Sequence, residues 1–155
     1  MCDFGLDWSE SERKAIMVTA RKVLESYEII KRRSIMMSKT PIPDIKGQEY
    51  SEMPKSQNLS NSSESRIIHY IAAKKDAEEL EIRYKEIERA VDACTGDFAS
   101  LLRLKFIAGK PDESVWYMLN YSKSWYYETG IDEALCLFAE TWESGRIPRE
   151  ITKRN

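Results

Sequence analysis

Apolar residues along the chain recur with the period of a helix rather than that of a strand. In "WSESERKAIMVTARKVLESYEIIKRR", Ile16, Ala20, Val23, Tyr27 and Ile30 follow one another at spacings of 4, 3, 4 and 3 and therefore share one helical face. Ser9 and Glu12 precede them at capping-box spacing, where each side chain can satisfy a first-turn N–H. The pattern predicts a long amphipathic helix over residues 10–33. Periodicity is lost over 34–64, "SIMMSKTPIPDIKGQEYSEMPKSQNLSNSSE", which holds three of the five prolines and ends in a Ser/Asn cluster. That composition predicts a flexible linker, because too little apolar surface is available to offset the entropy of ordering it.

The helical period returns over 65–95. Tyr70, Ala73, Ala77, Leu80, Tyr84, Ile87, Val91 and Cys94 alternate spacings of 3 and 4, the 3.5-residue period of a coiled-coil seam. Such a helix needs a helical partner, either the N-terminal helix of the same chain or the 70–94 helix of a second copy in a homodimer. Gly96 can take a left-handed cap and Asp97 stands where it can cap the helix of 97–108. A short helix is expected over 114–119 and a further helix over 122–143, and the polar tail 146–155 is expected to fray. The fold class is all-α, with residues 96–145 forming one small domain.

Charge divides unevenly along this framework. Between Arg13 and Arg33 the first helix carries seven basic residues against Glu25 and Glu28, while the whole chain is at −2. Chemistry-bearing residues are scarce. Cys2, Cys94 and Cys136 have no ligand or disulfide spacing, and Cys94 and Cys136 read as buried structural thiols. The single histidine, His69, lies without a companion ligand and reads as a helix-surface residue. No nucleophile–base set or phosphate loop is present, so the expectation is no enzyme, no cofactor and no metal. No window approaches the length needed to span a bilayer and no leader-like segment opens the chain, which predicts a cytoplasmic protein with no membrane association.

The segment "DESVWYMLNYSKSWYYE" can form a helix-turn-helix. Val115 and Leu119 would point inward from its first helix, Asn120 stands where the turn needs a positive φ, and Ser122 would cap the second helix. Lys123, Ser124, Trp125, Tyr127 and Glu128 would then be exposed, with Tyr126 turned to the core. In that geometry Lys123 can meet a phosphate or guanine edge, Ser124 either one, Glu128 a cytosine amino group, and Trp125 or Tyr127 a thymine methyl or sugar. The alternative is that these aromatics are the ordinary core of a helical domain.

Tyr126 and Ile131 are both core-type residues, yet they lie five apart, and a straight helix places core positions three or four apart. Either a one-residue bulge at Gly130 absorbs the extra residue, or the helix starts later and Tyr127 is the core aromatic. The bulge is preferred.

The stretch "LLRLKFIAGK...SVWYMLNYSKSWYYETGIDEALCLFAETW", preceded by "KKDAEELEIRYKEIERAV" and by "ARKVLESYEIIKRR", resembles the ArpU family of phage transcriptional regulators, whose C-terminal part is similar to the last domain of bacterial sigma factors. The resemblance covers the N-terminal helix and roughly residues 70–145. It implies a bacteriophage-encoded regulator that binds double-stranded DNA and controls late packaging and lysis genes in the bacterial host. It also implies that Ser122, Lys123, Ser124, Trp125, Tyr127 and Glu128 form the DNA-binding set. Residues 97–155 are close to neutral, so the missing attraction for phosphate is expected from the basic first helix, a second copy or RNA polymerase. A small terminase-like DNA-packaging subunit and a helical protein-interaction module are the competing readings.

Overall fold

The computed structural model describes residues 8–44 and 58–154, with side chains of the second helix described from residue 63. It is helical, and no strand occurs among the described residues. Two long helices, α1 (Glu10–Ser38) and α2 (Asn58–Ala93), precede a run of shorter ones: α3 (Gly96–Leu102), α4 (Asp112–Met118), α5 (Lys123–Trp125), α6 (Ile131–Thr141) and α7 (Arg146–Thr152). The chain divides into two compact units, one of residues 1–29 with 83–155 and one of residues 30–82.

Both long helices exceed their expected lengths. α1 runs on to Ser38 and α2 already starts at Asn58, so the ends of the segment read as linker are helical. Neither Ser34–Ser38 nor Asn58–Glu64 contains proline, and each extends a helix already nucleated next to it, which costs far less than starting one. The central part of the expected linker, residues 45–57, lies outside the described residues.

In the larger unit α1 begins as its residues dictate. Ser9 N–H donates to Glu12 Oε2 at 2.8 Å and Glu12 N–H donates to Ser9 Oγ at 3.3 Å, a reciprocal capping box. Ile16, Ala20, Leu24 and Tyr27 form its buried face. Tyr27 meets Tyr84 of α2 edge-on at 6.1 Å and donates its hydroxyl to Glu88. Ile87, Val91 and Cys94 of the α2 seam are buried within this single chain, so no second copy is needed to cover them.

Of the remaining helices of this unit, α3 and α7 pack on α6. Ala134, Leu135, Cys136, Leu137, Phe138 and Ala139 are all buried, the signature of a helix surrounded on every side. Arg13 of α1 pairs with Glu133 of α6 at 2.7 Å, and Thr141 Oγ1 donates to the Ala90 carbonyl of α2 at 3.0 Å. Burial is the main reason the Cys136 thiol is pushed up to about 11, which keeps it protonated and consistent with a structural role.

Asp97 does not cap α3: its carboxylate accepts the Tyr121 hydroxyl instead, and Thr95 occupies the cap position without a side-chain bond. The tail 146–155 is not a frayed segment, since Arg146–Thr152 forms α7 with Ile147 and Pro148 buried. The chain reverses into it through Glu143, Ser144 and Gly145, at φ of 44°, 55° and 80°. Arg149 stabilises that left-handed turn by donating to the carbonyls of Gly145 and Glu143 at 3.2 Å each. Two well-placed apolar residues outweigh the polar composition that suggested fraying.

Candidate nucleic-acid interface

The candidate site is built on the passage from α4 to α5. The end of α4 is closed by a pair of backbone bonds: Asn120 N–H donates to the Tyr117 carbonyl at 3.2 Å and Tyr121 N–H to the Trp116 carbonyl at 3.0 Å. This is a Schellman-type termination, and it requires a left-handed residue just past the helix. Asn120 fills the position at φ 59°. Ser122 then takes extended backbone angles and its Oγ accepts the Trp125 N–H at 3.1 Å, which starts α5. A turn of only a few residues thereby sets the direction of the next helix.

That helix contains the predicted bulge. Residues Tyr126–Gly130 form a π-turn between α5 and α6, with Ile131 N–H donating five residues back to the Tyr126 carbonyl. The backbone remains right-handed helical on both sides, so Lys123–Thr141 is one helix with one inserted residue. The insertion turns Tyr126 and Ile131, five apart, to the same side, where they are 1% and 6% exposed. Tyr127 is 49% exposed, which settles which tyrosine belongs to the core.

Gly130 lets the bulge close. A Cβ built there would lie 2.6 Å from Trp125 Cζ3 and 2.9 Å from Cη2, inside any tolerable contact. The indole occupies that space because it stacks on Tyr121 at 3.7 Å between ring centroids and lies nearly parallel to Phe98 at 6.3 Å. Trp125, expected on the exposed set, is therefore half-buried in an intramolecular aromatic stack. The reason is the π-turn itself: it brings Gly130 beneath Trp125 and leaves a flat, side-chain-free surface for the ring.

The tyrosine pair is anchored by a residue that sequence reasoning did not single out. Asp112, the first residue of α4, accepts the Tyr126 hydroxyl at 2.8 Å, the Tyr127 hydroxyl at 3.2 Å and Lys105 Nζ at 2.6 Å. Burial works to raise the Asp112 carboxyl, but the bonds from Lys105, Tyr126 and Tyr127 outweigh it and hold the group below its usual 3.8. Burial first, and the bond to Asp112 second, push the Tyr126 phenol up, with the positive charge of Arg21 on α1 acting in the opposite sense. Acidic residues are common at the first position of a helix, so "KPDES" carries no sign that Asp112 also reaches tyrosines 14 and 15 residues later.

Because the folded carboxyl of Asp112 is depressed, its contribution is fully present above its unfolded value. It is lost as pH falls through the folded value. Stability measured by chemical denaturation should therefore drop as pH is lowered below about 4, and Asp112→Asn should flatten that drop while lowering stability near neutrality by about 1 kcal/mol. An unchanged acid limb in Asp112→Asn would show that this carboxylate does not hold the turn.

Of the residues expected at the interface, Lys123, Ser124 and Glu128 are exposed together on the outer side of the helix, Ser122 caps it, and Tyr127 is exposed with its hydroxyl tied to Asp112. On α4, Tyr117 is 81% and Met118 55% exposed, and Trp116 packs against Tyr126 and Tyr127 at 5.6 and 5.8 Å. Among the described residues no cluster of His, Cys, Asp and Glu could hold a metal, and no helix is long and apolar enough to cross a membrane. No protein-family model, curated protein or solved structure matches the chain.

Proposed function

We propose that this protein is a double-stranded-DNA-binding transcriptional regulator, and that α4, the Asn120 turn and the helix starting at Lys123 act as a helix-turn-helix. The observation that carries this reading is the junction itself. A left-handed Asn120 and a serine cap aim a helix whose inner side is held by Tyr126 and Ile131, leaving Lys123, Ser124 and Glu128 outward at its first turns. Residues near a reading helix's N-terminus are the ones that reach base edges and phosphates. Trp125 is withdrawn from the contact set, and Tyr127 is kept as a contact through its ring.

The near-neutral charge of residues 97–155 asks for a second source of attraction. The first helix is the proposed source, through the basic residues it carries between Arg13 and Arg33, of which Lys22 is exposed. RNA polymerase is the further partner this reading proposes, with late phage genes as the regulated set and the host cytoplasm as the location.

Selection from a random pool of duplex DNA, followed by fluorescence anisotropy on the enriched sequence, tests the proposal. Lys123→Ala with Ser124→Ala should weaken binding by about tenfold or more and make the salt dependence shallower by about one ion, with helicity unchanged. No enrichment and no binding at low salt would overturn the regulator. That result would instead favour a helical protein-interaction module, for which the exposed Tyr117 and Met118 are the specific support.

A further inference from the structure

The described residues of the smaller unit, 30–44 and 58–82, form two helices with almost no interior. Its halves of α1 and α2 run antiparallel, with Ser34 Oγ donating to the Ala77 carbonyl at 2.9 Å and Lys74 Nζ to the Ser38 carbonyl. Among the described residues of this unit only Ser34 and Ala77 are buried. Met36, Ile68, Ile71 and Ile82 are exposed by 67, 67, 59 and 59%. Helices in water owe most of their stability to packing of an apolar face, and here Met37, Ile67, Tyr70 and Leu80 are only partly covered while these four are left outside.

Those residues are not scattered. On α2, Ile68, Ile71 and Ile82 are separated by 3 and 11 residues, so they line one stripe, on the side away from Ala77. Glu64, Glu78 and Glu79 border it, against Lys75, which is paired with Glu79 at 3.9 Å. On α1, Met36 lies on the side away from Ser34, with Arg33 and Lys39 three residues before and after it and no carboxylate between Ile30 and Thr40. Since the helices meet through Ser34 and Ala77, the two stripes point in opposite directions. One is apolar and basic, the other apolar and acidic.

We infer that a second copy of this chain covers each stripe. The α1 stripe around Met36 of one copy docks on the α2 stripe of Ile68, Ile71 and Ile82 of the next. The occupant is set by charge complementarity, since each copy carries both halves of a matched pair. Because the halves are on opposite sides of the unit, the contact is heterologous and builds a ring or filament rather than a two-fold dimer. This surface is distinct from the α2 seam, whose Ala77, Ile87, Val91 and Cys94 are already buried in the single chain. The inference does not rest on DNA binding.

Sedimentation velocity of the full chain tests it, from about 5 to about 100 µM, where mass action populates the assembly. Species larger than a dimer should grow with concentration and weaken as salt is raised to about 0.5 M. Ile68→Glu with Ile71→Glu, and separately Met36→Glu, should each be monomeric with unchanged circular dichroism, since all three positions face solvent in the monomer. Mixed together, the two variants should form a 1:1 dimer and stop there, because each retains the half the other lost. A wild-type monomer throughout the range, a closed two-fold dimer, assemblies that survive both variants, or variants that stay monomeric when mixed would each overturn the inference.

Discussion

Tyr126→Ala is expected to destabilise the protein by about 3–5 kcal/mol, while Tyr127→Ala costs less than about 1 kcal/mol. The residues are neighbours of the same type, and every difference between them comes from which side of the π-turn they occupy. Tyr126 is 1% exposed, its ring packs on Trp116, and its hydroxyl is satisfied by Asp112. Truncation would leave a ring-sized cavity and leave the Asp112 carboxylate with only Lys105 and Tyr127. Tyr127 is half exposed, and its bond to Asp112 is the longer of the two at 3.2 Å. Urea denaturation of both variants reads the difference directly. Equal losses would mean that the inserted residue does not sit at Tyr126–Gly130. Tyr126→Phe isolates the hydroxyl, and its cost should be about 1 kcal/mol, the ordinary worth of one hydrogen bond.

Replacing Gly130 should invert a general rule. Glycine inside a helix is ordinarily a liability, and exchange for alanine typically gains about 1 kcal/mol. Gly130 has ordinary helical angles, φ −57° and ψ −54°, so nothing in its backbone requires glycine. The requirement comes from the indole above it, which a methyl group would meet at 2.6 Å. A tryptophan ring can sometimes swing aside, but this one is held by Tyr121 on its face and Phe98 nearby. Gly130→Ala should therefore lower stability by about 1–2 kcal/mol and Gly130→Val by about 3 kcal/mol, the range of overpacked interiors. Intrinsic fluorescence should report the displaced indole. A Gly130→Ala protein that is more stable than the parent would show that Trp125 does not occupy this space. If the α5 face contacts DNA, the same variant should also weaken binding, because Trp125 would be pushed outward among Lys123 and Ser124.

The stability of this region bears on its proposed use. Asp112 links the start of α4 to the tyrosines of the π-turn, and the Trp125–Gly130 contact locks the opposite side of the same turn. Lys123, Ser124 and Glu128 are thereby displayed from a helix held at two places. Preorganisation of that kind limits the entropy lost when a rigid ligand such as duplex DNA is bound.

Much of this was legible in local sequence. The capping box of Ser9 and Glu12, the buried face of Ile16, Ala20 and Tyr27, the left-handed Asn120 and the serine cap at 122 depend on residues within a few positions of one another. The gap of five between Tyr126 and Ile131 narrowed the choice to a bulge at Gly130 or a later helix start, because two core residues cannot share the face of a regular helix at that spacing. Only the burial of Tyr126 beside an exposed Tyr127 decided for the bulge. The fate of Trp125 was different. Its period placed it outward, and only the meeting of Phe98, Tyr121 and Gly130 around it gave the ring a better place than solvent. Asp112 and α7 were missed for the same reason: a hydroxyl 14 residues away and two apolar anchors in a polar tail acquire meaning only once other helices surround them. Sequence by itself determined that this chain is helical, that the chain turns at Asn120 and that Tyr126 and Ile131 cannot share the face of a regular helix, since helix period, caps and turn residues act through neighbours along the backbone. Tertiary structure alone decided which aromatics remain available to a ligand, because burial is a property of what converges on a residue from distant parts of the chain.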